Sequence, residues 1–425
     1  MVPRTHRGVG LADRLAPVVG PEPARPRSMR RQNLSLVLRE VMEKGPRSRA
    51  TIAEATGLTK STVSSLVADL TARGLLSEAG REDSGTVGRP GRLVAVSDEL
   101  VVGLGFEINV DYISACALDL TGAVRYERSQ QRENRGAGAT EVLDALERMG
   151  RDALHWSAAE GLTPVGATIA APGLVDVDSG TLVFAPNLGW ERIPLAAELR
   201  TRLGLSHLPV SADNEANLAA LGELWEGAGR KLGDFIHVSG EIGVGAGVVI
   251  RGELVRGGGG FGGELGHIPI QLDGPPCPCG SNGCLERLVG QEALLRAAGL
   301  DADIGTRIGV PDGGAAALVA RASEGHPVTI SALEQAGETL GCAVATMVNL
   351  FAPNSVVLGG IYAPLFQWMI TPLRAELQRR AFVLRYADVV VTPSQLGTAA
   401  AVRGAASSTL RTVCADPYLL AAPAV

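Results

Sequence analysis

The sequence has few aromatic residues, few cysteines and no long uninterrupted hydrophobic run. Phe, Tyr and Trp make up 4% of the 425 residues, and no uncharged apolar run approaches the ~18 residues that a bilayer span requires. The N-terminus is rich in Arg and Pro and has no apolar signal core. Because 46% of the residues are hydrophobic and 20% charged, the chain can still bury a large core, which excludes wholesale disorder. We expect a globular, cytoplasmic protein of two to four domains with no membrane segment.

The six cysteines are distributed unevenly along the chain. Cys277, Cys279 and Cys284 fall within eight residues, and with His267 they give the spacing H-x9-C-x-C-x4-C. Three thiolates and one imidazole suit a four-coordinate Zn²⁺ ion that has no open position for water. We therefore predict one structural zinc ion per chain. The alternative is a reduced, metal-free cysteine cluster.

The net charge of −6 conceals an asymmetry between the beginning of the chain and the rest. Residues 1–97 contain 16 Lys/Arg and 9 Asp/Glu, a balance of +7, whereas the remainder carries a balance of −13. Residues 1–28 hold five Arg and five Pro, and we expect them to form a disordered tail. Residues 30–97 alone remain at +4. This basic segment permits an anionic partner without identifying it.

Residues 29–97 have the pattern of a winged helix-turn-helix domain. Apolar residues at helical spacing predict a first helix over residues 32–41, which a Gly-Pro pair ends. Ser48 and Thr59 are suitable N-caps for two further helices, and Gly57 supplies the turn between them. This is the order of a helix-turn-helix unit.

The last of these helices has a polar face that suits DNA. Its apolar residues form one inward stripe, and the opposite face is small and hydrogen-bonding, so it can approach phosphates and base edges in the major groove. The predicted DNA contacts on this helix are Lys60, Ser61, Thr62, Ser64 and Ser65. A strand–turn–strand pattern then predicts a wing, whose tip carries Arg89 and Arg92 for an A·T-rich minor groove. The alternative is a winged helix that dimerises or binds protein.

From Val102 onward, strands and helices alternate along the chain. This order predicts two α/β halves around a cleft. We expect a smaller lobe formed by residues 98–212 and 400–425. The larger lobe, residues 213–399, would contain the zinc site.

Several motifs of this body match one known family. They are APGLVD (171–176), PNLGW (186–190), DNEANLAALGE (213–223), GEIGVGAG (240–247), GGELGH (262–267) and CPCGSNGCLE (277–286). With the winged helix before them, they resemble the ROK family, whose name joins repressors, open reading frames and sugar kinases. The resemblance implies an actin-like, hexokinase-like two-lobed body with zinc at the four residues named above and a sugar in the cleft.

The resemblance also implies which side chains contact the sugar. These are Asn187, Asn214, Glu215, Glu264, His267 and Glu286. Carboxylates and amides can pair with sugar hydroxyls and reject analogues that leave a buried group unpaired. Asn214 could instead be only the cap of its helix.

The loops that hold ATP in kinases of this family are altered here. The family pattern Asp-x-Gly-Gly-Thr is replaced by residues 107–111, Glu-Ile-Asn-Val-Asp, and a second Gly-Thr pair is replaced by Glu241-Ile242. Backbone N–H groups cradle phosphates only where glycine leaves room, and added carboxylates repel a triphosphate. The family's catalytic Asp matches Glu215, whose carboxylate lies one methylene further out. We therefore predict that the protein is not an enzyme.

Together these features predict a ROK-family transcriptional regulator, most often a repressor, of carbohydrate uptake or metabolism genes. It would bind double-stranded operator DNA through the winged helix and a small carbohydrate in the cleft, as a homodimer or homotetramer. One alternative is an ATP-dependent, glucokinase-like sugar kinase with an added DNA-binding domain. Another is a zinc-containing adaptor that a protein partner controls in place of a sugar.

Overall fold

A computed structural model describes residues 26–81, 92–98, 100–301 and 313–420. These residues form an N-terminal head and a larger body that is built on two five-stranded sheets. Most of the tail predicted for residues 1–28 lies outside the described residues, but the first helix already begins at Pro26.

The head contains three helices and a small antiparallel sheet. Its elements are α1 (Pro26–Lys44), β1 (Arg47–Ser48), α2 (Arg49–Thr56), α3 (Lys60–Ala72), β2 (Leu76–Arg81) and β3 (Arg92–Val96). The Ser48 hydroxyl accepts a hydrogen bond from the N–H of Thr51 at 3.2 Å, and the Thr59 hydroxyl accepts one from Thr62 at 3.2 Å. The predicted caps of α2 and α3 are therefore confirmed. Gly57 ends α2 with φ 71, a conformation that glycine adopts without strain.

The core of the head continues into the body. The apolar residues that were predicted to face inward on α1 and α3 are all buried. They belong to one hydrophobic cluster with Val101, Leu118 and Leu410 of the body. Because the head and the body share this core, burial of apolar surface holds them together.

The body contains the remaining helices and strands. Its first part consists of β4 (Val101–Ile108), β5 (Tyr112–Asp119), β6 (Val124–Gln131), α4 (Ala139–Ala159), β7 (Thr163–Ala171), β8 (Leu174–Asp176), β9 (Thr181–Ala185), β10 (Trp190–Ile193), α5 (Leu195–Arg202) and β11 (Val210–Asn214). Its second part consists of α6 (Glu215–Trp225), β12 (Phe235–Gly240), β13 (Val244–Ile250), β14 (Glu253–Leu254), α7 (Glu286–Val289), α8 (Gln291–Ala297), α9 (Gly313–Ser323), α10 (Pro327–Phe351), β15 (Ser355–Gly360), α11 (Tyr362–Arg380), β16 (Val390–Pro393) and α12 (Ala400–Ala415).

Each lobe is organised around one mixed sheet. The strand order is β11-β7-β4-β5-β6 in the first lobe and β14-β13-β12-β15-β16 in the second. β7 pairs in parallel with both β4 and β11, and β15 pairs in parallel with both β12 and β16. This topology confirms the two-lobed α/β body.

The two sheets are joined by a close helix pair. α12 packs on β4, β5 and β7 of the first lobe, and α6 packs on β12 and β13 of the second. The two helices cross at Gly404, where a Cβ atom would lie only 1.8 Å from the carbonyl oxygen of Leu218. Only glycine allows this approach, so the crossing depends on that residue.

Among the described residues, no helix combines the length and the hydrophobicity that a span of a lipid bilayer needs.

Candidate functional site

A cavity of about 600 Å³, including its open mouth, lies at the cleft between the lobes. The structure brings together around it all the side chains that the resemblance assigned to sugar binding. They are Asn187, Asn214, Glu215, Glu264, His267 and Glu286. Residues from both lobes therefore line one polar site.

Asn214 connects the two lobes at the start of α6. Its Oδ1 accepts hydrogen bonds from the N–H groups of Ala216 at 2.9 Å and Asn217 at 3.1 Å, which caps the helix. Its Nδ2 donates to the carbonyl oxygen of Gly173 at 2.9 Å. The oxygen and the nitrogen of the side-chain amide are therefore both hydrogen-bonded within the protein. This agrees with the alternative prediction that Asn214 caps its helix.

Glu215 is an unusual carboxyl at the first position of α6. The residue is partly exposed, but its Oε2 atom is buried and has no hydrogen-bond partner among the described residues. Burial, followed by the charges of Glu107 and Glu264, raises the pKa of Glu215 to about 8. A neutral carboxyl at this position can donate a hydrogen bond to a ligand as well as accept one.

His267 lies between the cleft and the cysteine cluster. Its Nε2 atom is 3.9 Å from Glu264 Oε2, and its Nδ1 atom is 4.0 Å from Glu286 Oε1. Gly243 also forms part of the wall of the cleft. A Cβ atom at this position would lie 2.8 Å from Glu286 Oε2 and 3.2 Å from Asn187 Nδ2. Glycine at this position therefore leaves room for both side chains.

His267, Cys277, Cys279 and Cys284 form a compact group that could hold a metal ion. Their ligand atoms all lie within 4.8 Å of one another. The distance from Cys277 Sγ to His267 Nδ1 is 3.8 Å, and that from Cys279 Sγ to Cys284 Sγ is 3.7 Å. Tetrahedral coordination at metal–sulfur distances of about 2.3 Å separates ligand atoms by about 3.8 Å, so this donor set fits.

A glycine shapes the loop that brings the last of these cysteines into place. Gly283 has φ 62, and a Cβ atom there would lie 1.6 Å from the carbonyl oxygen of Gln271. Both the backbone conformation and the close contact exclude a larger residue. The spacing of Cys279 and Cys284 therefore depends on glycine.

Beside the cleft, side-chain hydrogen bonds join the end of β4, the start of β5 and the loop between them. Glu107 is buried and accepts hydrogen bonds from the hydroxyls of Tyr112 at 2.6 Å and Ser114 at 3.3 Å. Asn109 Nδ2 donates to the Tyr112 hydroxyl at 3.1 Å. Burial raises the pKa of Glu107 to about 7. Glu107 and Asn109 line a small cavity next to the cleft, and the carboxyl of Glu241 lines the same small cavity.

On the head, α3 presents the predicted polar face to solvent. Lys60, Ser61, Ser64 and Ser65 are exposed, and Thr62 is half-buried beside its cap. At the base of the wing, Arg92 forms an ion pair with Glu78. The predicted wing tip with Arg89 lies outside the described residues.

Two arginines near these sites were missed by the sequence reasoning. Arg30 on α1 lies beside the exposed face of α3, with its guanidinium 3.4 Å from Ser65 Oγ and 3.0 Å from Asp69 Oδ2. Arg256 forms an ion pair with the buried Asp213 at 2.7 Å. Both contacts join segments that are distant in sequence, so no local pattern could have indicated them.

The chain belongs to the ROK family, since residues 103–411 match the model of that family. Residues 35–89 match the model of the MarR family, which accounts for the winged helix of the head. These matches confirm the resemblance that the motifs of the body indicated. They also confirm the order of a DNA-binding head followed by an actin-like body.

Individual relatives include regulators and kinases. The chain is 31% identical to the xylose repressor of Bacillus subtilis strain 168 over 384 residues, which cover 89% of this chain and 95% of that protein. A crystal structure of a ROK family transcriptional regulator, a homologue of the E. coli MLC protein, covers 92% of this chain and 98% of its own, with a TM-score of 0.75 and 24% identity. The ROK family glucokinase of Streptomyces griseus, solved with glucose and AMPPNP, covers 73% of this chain and 99% of its own, with a TM-score of 0.64 and 30% identity. The regulators thus match almost the whole chain, whereas the kinase matches a smaller part of it.

Proposed function

We propose that this protein is a sugar-responsive transcriptional repressor of carbohydrate uptake or metabolism genes. The observation that carries the proposal is the shared core between a winged-helix head and a two-lobed body with a polar cleft. The head offers a small polar helix face to operator DNA. The body offers carboxylates and amides to a carbohydrate, and the named repressors among its relatives support the same combination.

The effector would bind at the cleft residues through its hydroxyls. Glu264 and Glu286 would accept hydrogen bonds, and the neutral carboxyl of Glu215 would donate one. Because the relatives matched over most of the chain include xylose repressors, xylose is the first sugar to test. The sugar must bind more tightly to the conformation with low DNA affinity, and a tenfold preference corresponds to about 1.4 kcal/mol of coupling.

The metal at the cysteine cluster would be zinc, because three thiolates and one imidazole are typical ligands of structural zinc. When bound, the ion would supply a fixed, closed coordination and no reaction. Nδ1 of His267 faces the cysteines, and Nε2 faces Glu264 in the cleft. The metal site would therefore fix the orientation of a ring that also lines the sugar site.

The body would bind the sugar without phosphorylating it. In place of the glycine-rich loops of the family's kinases, the carboxyls of Glu107, Glu215 and Glu241 surround one small cavity of about 250 Å³. A triphosphate placed beside them would be repelled by whichever of these carboxyls is ionised, and a neutral carboxyl such as that of Glu215 would supply none of the positive charge that a triphosphate requires. The alternative, a sugar kinase, rests on the match to the glucokinase body and predicts sugar-dependent ATP turnover.

Operator binding would involve more than one chain and would take place in the cytoplasm. A group of exposed apolar side chains in the second lobe, in which the rings of Phe382 and Tyr386 are in contact, supports self-association as a dimer or tetramer. It includes Leu350, Phe382, Tyr386 and Val390. Paired heads would favour half-sites about one helical turn apart or a multiple of it.

The experiment that tests the function uses the protein's own promoter region as a labelled duplex. DNA binding is recorded by fluorescence anisotropy with xylose, glucose, other aldoses and no sugar. We expect tight binding without sugar and release by one sugar at saturating concentration. A promoter that remains occupied with every sugar contradicts the effector role, and sugar-dependent ADP release contradicts the absence of kinase activity.

A further inference from the structure

A second cavity lies where the head meets the body, and we refer to it as the junction site. Including its open mouth it has a volume of about 1140 Å³. It is bordered by the end of α1, the turn after β5, the end of α6, and the second half of α12. The side chains used below are Trp225, Glu226, Arg230, Ser407, Leu410 and Arg411.

Arg411 is a half-buried cation that forms no ion pair within the described part of the chain. Its guanidinium carbon lies 4.3 Å from the centroid of the Trp225 ring, so the arginine is stacked on the aromatic face. The nearby carboxylates of Glu43 and Glu226 favour its charged form, but no carboxylate of the described residues lies within ion-pair distance of it. Burial lowers the pKa of Arg411 from its usual value, but an arginine remains charged in proteins. Burying a charge without a direct ion-pair partner is costly, so such a group can bind an added anion.

A second cation stands at the edge of the same cavity. Arg230 is exposed and takes part in no ion pair within the described part of the chain. Two acids of the cavity, the buried Asp119 and the half-buried Glu226, already have direct partners. Asp119 pairs with Arg125 at 3.2 Å, and Glu226 accepts a hydrogen bond from the Ser407 hydroxyl. The remaining acid, Glu43, is exposed to solvent.

We propose that the junction site is a second effector site, which binds a small organic anion of the carboxylate or phosphate class. Arg411 and Arg230 would hold the anionic group, since guanidinium matches the geometry of both carboxylate and phosphate. Trp225 and Leu410 form an apolar wall for the rest of the molecule. Glu226 can accept a hydrogen bond from a hydroxyl of the ligand.

The position of the site gives its occupant a route to both functional ends of the molecule. α6 starts at Glu215 in the cleft and ends at Trp225 in the junction site. The cavity is also lined by Met42 and Glu43, which belong to α1 of the head. An anion bound here would contact the head and the body together and stabilise one placement of the head. The proposal that an anion binds here does not depend on the proposed function, whereas an effect of the anion on operator affinity rests on that function.

Tryptophan fluorescence of the full-length protein, measured without DNA or sugar, tests the proposal. The probes are inorganic phosphate, citrate and gluconate. They compare phosphate with carboxylates, and a tricarboxylate that has a single hydroxyl with a polyhydroxylated monocarboxylate. We expect a saturable change with at least one probe. Arg411→Gln and Arg230→Gln should each weaken its binding about tenfold or more. Arg403→Gln is the matched control, because Arg403 lies on the same helix but pairs with Glu127 at 2.8 Å outside the cavity.

A second readout assigns the signal to the site. Trp225→Phe should remove the fluorescence change while a ligand-induced rise of Tm remains. Arg230→Gln serves if the half-buried Arg411 variant does not fold, since Arg230 is exposed. The proposal is overturned if no probe gives a saturable change at millimolar concentration. Equal binding by wild type, Arg230→Gln and Arg411→Gln would also overturn it, because the anion would then bind elsewhere.

Discussion

His267 is shared between two sites, because its Nδ1 atom lies 3.8 Å from Cys277 Sγ while its Nε2 atom lies 3.9 Å from Glu264 Oε2. A change at the cysteines would therefore reach the cleft through one rigid ring. This relationship would make the proposed metal site and the proposed sugar site interdependent. It also allows the role of the metal to be measured by sugar binding.

Cys284→Ser should remove the metal and weaken the sugar site. Cys284 is completely buried in the cluster, so its replacement leaves a three-ligand set. We expect loss of zinc by elemental analysis, a Tm lower by several degrees, and sugar affinity reduced about tenfold or more. Cys342→Ser is the control, since Cys342 lies on α10 outside the cluster. Full sugar affinity in metal-free protein would contradict the coupling.

Glu215→Gln should stabilise the protein increasingly as the pH rises. The pKa of Glu215 is raised from 4.5 to about 8, so the folded protein holds this proton more tightly than the unfolded chain does. The folded state therefore loses stability between about pH 4.5 and pH 8, and an uncharged amide removes that loss. Thermal unfolding at pH 5, 6.5 and 8 should show a variant that gains about 2 °C or more at pH 8 and little at pH 5. The exposed Glu334→Gln should show no such trend.

Gly243→Ala should damage the sugar site and leave the head intact. The added methyl would lie 2.8 Å from Glu286 Oε2 and 3.2 Å from Asn187 Nδ2, so at least one side chain must move. We expect sugar affinity to fall about tenfold or more, with operator affinity unchanged, by calorimetry and anisotropy. Gly258→Ala is a matched control, because nothing lies within 4 Å of a Cβ atom there. If both variants bind sugar equally well, the effector does not use this wall.

Lys60→Ala should weaken operator binding through the loss of one phosphate contact. Lys60 begins α3 and is exposed. Removal of one phosphate contact should lower affinity for all sequences and reduce the slope of log K against log salt by about 1. Lys231→Ala removes an equally exposed lysine from the body and should change neither quantity. An unchanged salt slope for Lys60→Ala would mean that this face does not contact DNA.

The sequence predicted those parts of the fold that have a local cause. The caps Ser48 and Thr59 and the buried stripe of α3 follow from hydrogen bonding and helical periodicity within a few residues. The cysteine spacing likewise brought three ligands together because the intervening loop is short. For the cleft, motif resemblance located the side chains, and the structure shows that they line one cavity.

The sequence could not predict contacts between distant segments. The stacking of Arg411 on Trp225 joins residues from two helices that are far apart along the chain. The unpartnered Oε2 of Glu215 depends on which groups the second lobe places near it. Each of these results from the packing of the two lobes and the head, which no local pattern encodes.

The contact of Gly404 with the Leu218 carbonyl leaves α6 and α12 no freedom to slide past each other. Opening or closing of the cleft must then occur as a rotation of the lobes about this pair of helices. Because α12 ends beside α1, even a small rotation would tilt the head relative to the cleft. The separation of two heads on a duplex would change with that angle.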